Sequence, residues 1–185
     1  GGSMKFFIIS DLHGSAPAFA RAAEAFEREK ADYLVLCGDY LNHGPRNPIP
    51  DGYDPQSLAE HINRYADRVL GVRGNCDSEI DQMLLSFPCL GDYLVFFTAG
   101  RRCLVTHGHI HTEKDHPPLS AGDVFISGHT HVPVLKEENG IFVVNPGSLP
   151  LPKSELGGGY ALITDSGIVI KSLDGTDILP PLSFS

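Results

Sequence analysis

The sequence predicts an α/β fold in a single domain, with strand and helix alternating at the front and short strands crowding the back. Three observations carry this. Strand-length apolar runs alternate with a helical-period stretch over roughly the first sixty residues. From Gly91 onward, short β-type segments are separated by Gly, Asn, Asp and Pro. The length of 185 residues, with 42% hydrophobic and 20% charged, is that of one globular domain and not of a disordered chain. Residues 4–185 are therefore expected to form the domain, and Gly1-Gly2-Ser3 ahead of Met4 reads as a cloning remnant.

Lys5–Ile9 is a continuous apolar run, as a strand buried on both faces of a parallel sheet would be. Ser15 can cap a helix with Pro17 in its first turn, and Phe19, Ala22, Ala23 and Phe26 follow at helical spacing. Tyr33–Cys37 is a second buried strand, completing a βαβ unit with a right-handed connection. Leu41–Pro55, dense in Pro, Asn, Gly and Asp, predicts a long loop of the functional or mobile kind. A second helix presents Leu58, Ile62 and Tyr65; Val69–Val72 is a short strand, and Ser78–Leu85 one or two helical turns. Further strands are expected at Tyr93–Phe97, Cys103–Thr106, Asp123–Ser127, Val132–Lys136, Ile141–Val144, Tyr160–Ile163 and Ile168–Ser172. Glu137-Glu138-Asn139-Gly140 marks a hairpin, Asn-Gly being a favoured turn pair.

Charge and composition exclude several function classes. Lys and Arg number 14 against 23 Asp and Glu, a net charge of −9, and the densest basic spot is Arg101-Arg102. Binding along a nucleic-acid duplex is therefore not expected. An anionic small substrate stays compatible with the chain if bound metal ions add positive charge at one point. No apolar stretch approaches bilayer-spanning length and no basic segment leads into one, so neither a membrane partner nor a secretory signal is expected. Cys37, Cys76, Cys89 and Cys103 include no CxxC pair; reduced buried thiols and a cytoplasmic location follow.

The chemistry lies just after the strands. Asp11-Leu12-His13, Gly38-Asp39, Gly74-Asn75-Cys76-Asp77, His107-Gly108-His109 and Gly128-His129-Thr130-His131 each follow an apolar β run. In open α/β sheets, ligands bind outside the carboxyl ends of strands, so the five motifs should converge. Taken singly each is weak: Asp-x-His arises by chance, Gly-Asp is a turn dipeptide, and a lone His is more often a hydrogen-bonded core residue. Together they supply two Asp, one Asn and four His. That set is too large for one catalytic ion with open positions, and sufficient for two ions sharing a carboxylate. Oxygen and imidazole donors without thiolate suit Mn, Fe, Ni, Co, Zn or Mg. The glycines before Asp39, Asn75 and His129 would let the backbone bend sharply.

This ordered pattern resembles that of the calcineurin-like metallophosphoesterase superfamily: Asp-x-His, Gly-Asp, Gly-Asn-His-Asp/Glu, a His, then Gly-His-x-His. The resemblance runs from Met4 to about Ile170. Compact length, Gly-Asn-Cys-Asp and Asn145-Pro146-Gly147-Ser148 are most similar to its small bacterial phosphodiesterases of the YfcE type. It implies a four-layer α/β/β/α sandwich of two mixed sheets flanked by helices. It implies that Asp11, His13 and His131 hold one divalent ion, manganese first among the candidates, that Asn75, His107 and His129 hold the other, and that Asp39 bridges them. It also implies in-line attack on a small phosphodiester by a hydroxide bridging the ions, and a homo-oligomer.

Cys76 departs from the pattern, standing where most of the superfamily has a His that contacts substrate or helps protonate the leaving group. A thiol is a weak donor, so activated aryl esters should react better than esters with poor leaving groups. His109 and, in the loop, His43 are candidates for contact with the phosphoryl group, Asp77 for capping the short helix or bonding near Cys76. Asn145-Pro146-Gly147-Ser148 reads as structural support beside the site, and Pro117-Pro118 as a breaker. Phosphomonoester or dinucleoside polyphosphate hydrolysis, a non-catalytic scaffold and a metal sensor are the competing functions; a complete ligand set favours catalysis.

Overall fold

The computed structural model describes residues 3–185; Gly1 and Gly2 of the expected remnant lie outside the described residues. The chain begins with β1 (Phe6–Ile9), α1 (Ala16–Arg28) and β2 (Tyr33–Leu36), followed after the long loop by α2 (Pro55–Asn63). A single 3-10 turn at Ala66–Arg68 leads into β3 (Val69–Gly71), and α3 (Glu79–Leu84) follows. The remainder is β4 (Tyr93–Thr98), β5 (Arg101–Thr106), β6 (Val124–Ile126), β7 (Val134–Glu138), β8 (Ile141–Asn145), β9 (Tyr160–Thr164), β10 (Gly167–Lys171) and β11 (Leu182–Ser183).

Two mixed sheets pack face to face. The first has the order β11-β10-β9-β1-β2-β3, the second β4-β5-β6-β8-β7. Within the first, β1, β2 and β3 are parallel and β9 joins β1 antiparallel. Within the second, β5, β6 and β8 are parallel, with antiparallel β4 and β7 at the edges. Each sheet thus contains three neighbouring parallel strands, at one side of the first and at the centre of the second, whose carboxyl ends can carry loops.

Strand alternation builds the core. Phe7, Ile9, Leu34 and Leu36 face α1 and α2, meeting Phe19, Phe26, Leu58 and Ile62. Phe6, Ile8, Val35 and Cys37 point the other way, against Val105, Val124, Ile126 and Val144 of the second sheet. Phe6 stacks on Phe96 across that interface at 4.2 Å between ring centroids. The Ser15 hydroxyl caps α1 through the Ala18 amide, and Arg28 lies in the last turn. On the outer face of the second sheet, the irregular segment 107–123 supplies the covering layer, with Leu119 and His116 against Phe125. Gly108, Gly122 and Pro117-Pro118 make that segment a poor helix.

Several boundaries move from their expected places. The long loop ends at Asp54, because its carboxylate caps α2 and Pro55 begins the helix. Tyr65 lies beyond α2, edge-on to Phe19 and Phe26. The Val132–Lys136 strand slides to β7, because Pro133 has no amide for the ladder and Glu138 pairs with Ile141 at the hairpin. That hairpin turns through Asn139 and Gly140, both with positive φ, as its sequence requires. The 3-10 turn and β11 carry no pattern strong enough to mark them. All four cysteines are free, three buried and Cys76 partly exposed. No described helix is long and apolar enough to cross a membrane.

Candidate metal centre

The five motifs meet at one edge of the sandwich. Asp11 and His13 follow β1, Asp39 follows β2 and Asn75 follows β3, while His107 follows β5 and His129 and His131 follow β6. Asp11, His13, Asp39, His129 and His131 have left-handed backbones, with φ of 56°, 46°, 56°, 72° and 61°. Such conformations are uncommon outside glycine and collect at functional sites, where the fold holds them against their cost. The bends therefore fall on these residues themselves and, as expected before Asp39, on Gly38 with φ of 101°. Gly74 and Gly128 have ordinary φ and serve close approach instead: a Cβ at Gly74 would run into the Asp39 carboxylate and amide, and one at Gly128 into Ser10 and Asp11.

The ring orientations expose a common design. Nδ1 of His13, His107 and His131 lies 2.9, 2.7 and 2.7 Å from the carbonyl oxygens of Asn42, Cys37 and Leu151. A carbonyl only accepts, so each Nδ1 carries a proton, and each Nε2 points inward, where it offers a lone pair once any proton on it is displaced. Nε2 of His13 and His131 are 3.2 Å apart, and Nε2 of His107 is 3.1 Å from Asp39 Oδ2. Asn75 Oδ1 sits 2.9 Å from His107 Nε2 and 3.0 Å from His129 Nδ1. Asp11 Oδ2 accepts from the Ser10 hydroxyl and the His129 amide. Its Oδ1 is buried without a hydrogen bond, 3.3 Å from His131 Nε2 and 3.5 Å from His13 Nε2. A carboxylate oxygen left unbonded inside a fold costs several kcal/mol, on the order expected for an unpaired buried charge. Divalent cations between it and the imidazoles remove that cost, so these residues fit a metal centre.

Electrostatics agrees. Burial would raise the Asp11 carboxyl, yet His13 and His131 hold it well below the ordinary carboxylate range. Burial would likewise lower His107, but the Asp39 and Asp11 carboxylates lift it to about 9. The negative potential that retains a proton there is the one a divalent ion would feel, and metal binding displaces such protons. Three ligand groupings emerge among the described residues: Asp11-His13-His131, Asp39-His107-His129 and His13-Asp39-Cys76. The first is fully buried, whereas Asn75 and His129 open the second toward solvent.

Other side chains hold the loops. The Asp77 carboxylate accepts from the amides of Asp39, Tyr40 and Gly74 at 2.8, 3.0 and 2.7 Å, tying the β2 and β3 tips together. Burial, with Asp39 nearby, raises it to about 6. It does not cap α3; Ser78 with Asp81 does. Asn145 Nδ2 donates to the Gly128 carbonyl, and the Ser148 hydroxyl donates to the Asp11 carbonyl, so the segment after β8 supports ligand loops of both sheets. His109 flanks His107 and His129 at ring distances of 5.3 and 6.1 Å, with Nδ1 buried and unbonded. Burial and then His107 lower its proton affinity. His43 turns toward Tyr53 instead.

A cleft of about 710 Å³ opens from Asp39, Asn75 and His129 across the 41–54 loop. Cys76 lines it, its thiol pushed up to about 12 by burial and by Asp39. Arg46 and Lys153 also line it. Sequence reasoning singled out neither, nor Ser10; adjacency to Asp11 was the one available signal for Ser10.

A two-sheet sandwich with clustered carboxylate, amide and imidazole donors at its edge defines a metallophosphoesterase, and residues 4–166 match the model of the calcineurin-like phosphoesterase superfamily domain. The chain belongs to that superfamily and is, by class, a phosphoric ester hydrolase. It is 41% identical over 182 residues to the phosphodiesterase YfcE of Escherichia coli K12, covering 98% of this chain and 99% of the relative. The solved structure of E. coli YfcE, described as a phosphoesterase, superposes with a TM-score of 0.94 at 40% identity, covering 98% of this chain and all of that one. Vacuolar protein sorting 29 of Cryptosporidium parvum shares the fold, with a TM-score of 0.65 at 18% identity over 99% of this chain and all of the other.

Proposed function

We propose that the protein is a divalent-metal phosphodiesterase acting on small phosphodiesters. The carrying observation is the convergence of the unbonded Asp11 Oδ1 and the Nε2 atoms of His13, His107 and His131 on one buried space, each ring held through Nδ1 by a backbone carbonyl. In this reading Asp11, His13 and His131 hold one ion, Asn75, His107 and His129 the other, and Asp39 bridges. Manganese is the first candidate, since the donor set has no thiolate requirement. Two such ions supply Lewis acidity that activates water and draws charge from phosphoryl oxygens.

The chain's own residues do the rest. Carbonyls of Asn42, Cys37 and Leu151 fix three imidazoles in one tautomer, so the ligands are set before substrate arrives. Asn75 and His129 face the cleft and orient the ester there. His109 completes the catalytic group beside them as a neutral donor to a phosphoryl oxygen. Cys76 offers no proton of useful acidity, which supports activated esters as the better substrates.

Cytoplasmic placement belongs to the same reading, supported by the free thiols. So does a homo-oligomer, supported by Tyr93, Val95 and Phe97 exposed along edge strand β4; light scattering showing a monomer overturns that part.

The test is hydrolysis of bis-p-nitrophenyl phosphate beside p-nitrophenyl phosphate, on chelator-stripped protein with and without manganese. Manganese-dependent diester cleavage, lost in His107→Ala and weak on the monoester, is expected. No turnover with Mn, Ni, Co, Zn or Mg despite tight metal binding overturns the reading.

A further inference from the structure

The cleft is larger than a phosphodiester needs, and its lining is uneven. Its volume of about 710 Å³ lies within the range of sites that enclose whole small molecules. Arg46 enters from the 41–54 loop and Lys153 from the segment after β8, where its amide donates to the His131 carbonyl at 3.0 Å. Both side chains are exposed, and neither meets a carboxylate among the described residues. Asp39 is the one acid in the lining, and it belongs to the metal cluster. Two free cations beside the reacting position are notable in a chain of net charge −9. Among the described residues, no Phe or Tyr lines the cleft. Asn42 and Asn47 add amides suited to polar groups.

We propose that Arg46 and Lys153 form a subsite for a second anionic group, so that the substrate is a compact phosphodiester with one arm ending in a carboxylate or phosphate. This rests on the phosphodiesterase reading and narrows its substrate class. The two cations attract the arm and set which ester end faces solvent; they take no part in bond breaking.

The test uses three p-nitrophenyl diesters of equal leaving group, whose second arm is methyl, 2-carboxyethyl or 2-phosphonoethyl, with manganese-loaded protein at low ionic strength. Exposed charge pairs predict kcat/KM higher by about fivefold to tenfold for the anionic arms, through KM. In the Arg46→Gln/Lys153→Gln double variant the ratio to the methyl ester falls to about one, while Arg64→Gln, remote from the cleft, keeps the parent ratio. Preference between carboxylate and phosphonate identifies the natural terminus. A parent ratio near one, or a ratio that survives the double variant, overturns the proposal. Calorimetry with phosphonoacetate against methylphosphonate separates the two levels. Tighter phosphonoacetate binding, lost in the double variant, without turnover of any diester removes the phosphodiesterase reading and keeps the anion subsite. Equal binding of both probes overturns the subsite.

Discussion

His129 and His131 are two residues apart, and left-handed backbones at both send one side chain to each ligand cluster. Histidines on an ordinary strand at that spacing would share a direction but sit almost 7 Å apart. The neighbouring His109 touches the second cluster without joining it, so its removal should leave metal stoichiometry intact. His109→Gln is expected to lower kcat on bis-p-nitrophenyl phosphate about tenfold to hundredfold, with two manganese ions per chain still counted by atomic absorption. Lost manganese in that variant would make His109 a ligand. Cys76 carries the opposite expectation. Its thiol is neutral and p-nitrophenolate leaves without a proton, so Cys76→Ala should keep kcat on that ester within about threefold. The convergence of the seven proposed ligands was legible because each sits in a short motif whose donor chemistry is written in the side chain. Asp77 was legible as a residue bonding near Cys76 and Ser148 as support beside the site, but their partners 38 and 137 positions away are ones no local pattern encodes.

At the scale of elements, the strand tips are packed so closely that glycine is obligatory where β3 meets β2. Gly74→Ala would push its Cβ into Asp39, the residue held between both clusters. The expected result is a loss of manganese affinity of about a hundredfold or more, beyond a destabilisation of about 1–3 kcal/mol read from urea unfolding of the metal-free protein. Equal losses in Gly74→Ala and in an Ala substitution at exposed Gly91, where a Cβ meets only the Tyr93 carbonyl oxygen at 3.7 Å, would contradict this account. The Asp54 cap matters for a different reason, since α2 anchors the end of the loop that carries Arg46. Asp54→Ala should cost about 1 kcal/mol and raise KM for anionic-arm diesters more than it lowers kcat. Buried strands and the Asn139-Gly140 hairpin could be read locally, because burial and turn type both have residue signatures. The cover over the second sheet could not: segment 107–123 is held by single contacts such as Leu119 and His116 on Phe125, without periodicity.

At the scale of the whole molecule, the proposed metal ligands come from both sheets. Asp11, His13, Asp39 and Asn75 come from the first, His107, His129 and His131 from the second. Between the sheets lies the apolar interface of Ile8, Val35, Val124 and Ile126, which fixes separation but, being non-directional, does little to fix register. On the proposed function, bound metal would supply the directional link, drawing strand tips of one sheet against those of the other. Binding to the folded state alone stabilises it by RT ln(1 + [L]/Kd), about 2.7 kcal/mol at a hundredfold excess over Kd. For a chain of this size that corresponds to a rise in Tm of about 5–10 °C. Asp39→Asn keeps the side-chain size and removes the charge shared by both clusters, so it should retain less than half of that rise. When both are metal-free it should be less stable than the parent at neutral pH, because the attraction of Asp39 for the His107 imidazolium is lost. Thermal unfolding with excess chelator and with manganese reads both quantities. A full manganese shift in Asp39→Asn would show that the sheets are joined through one cluster and not through a shared carboxylate, and the dinuclear assignment would have to be given up.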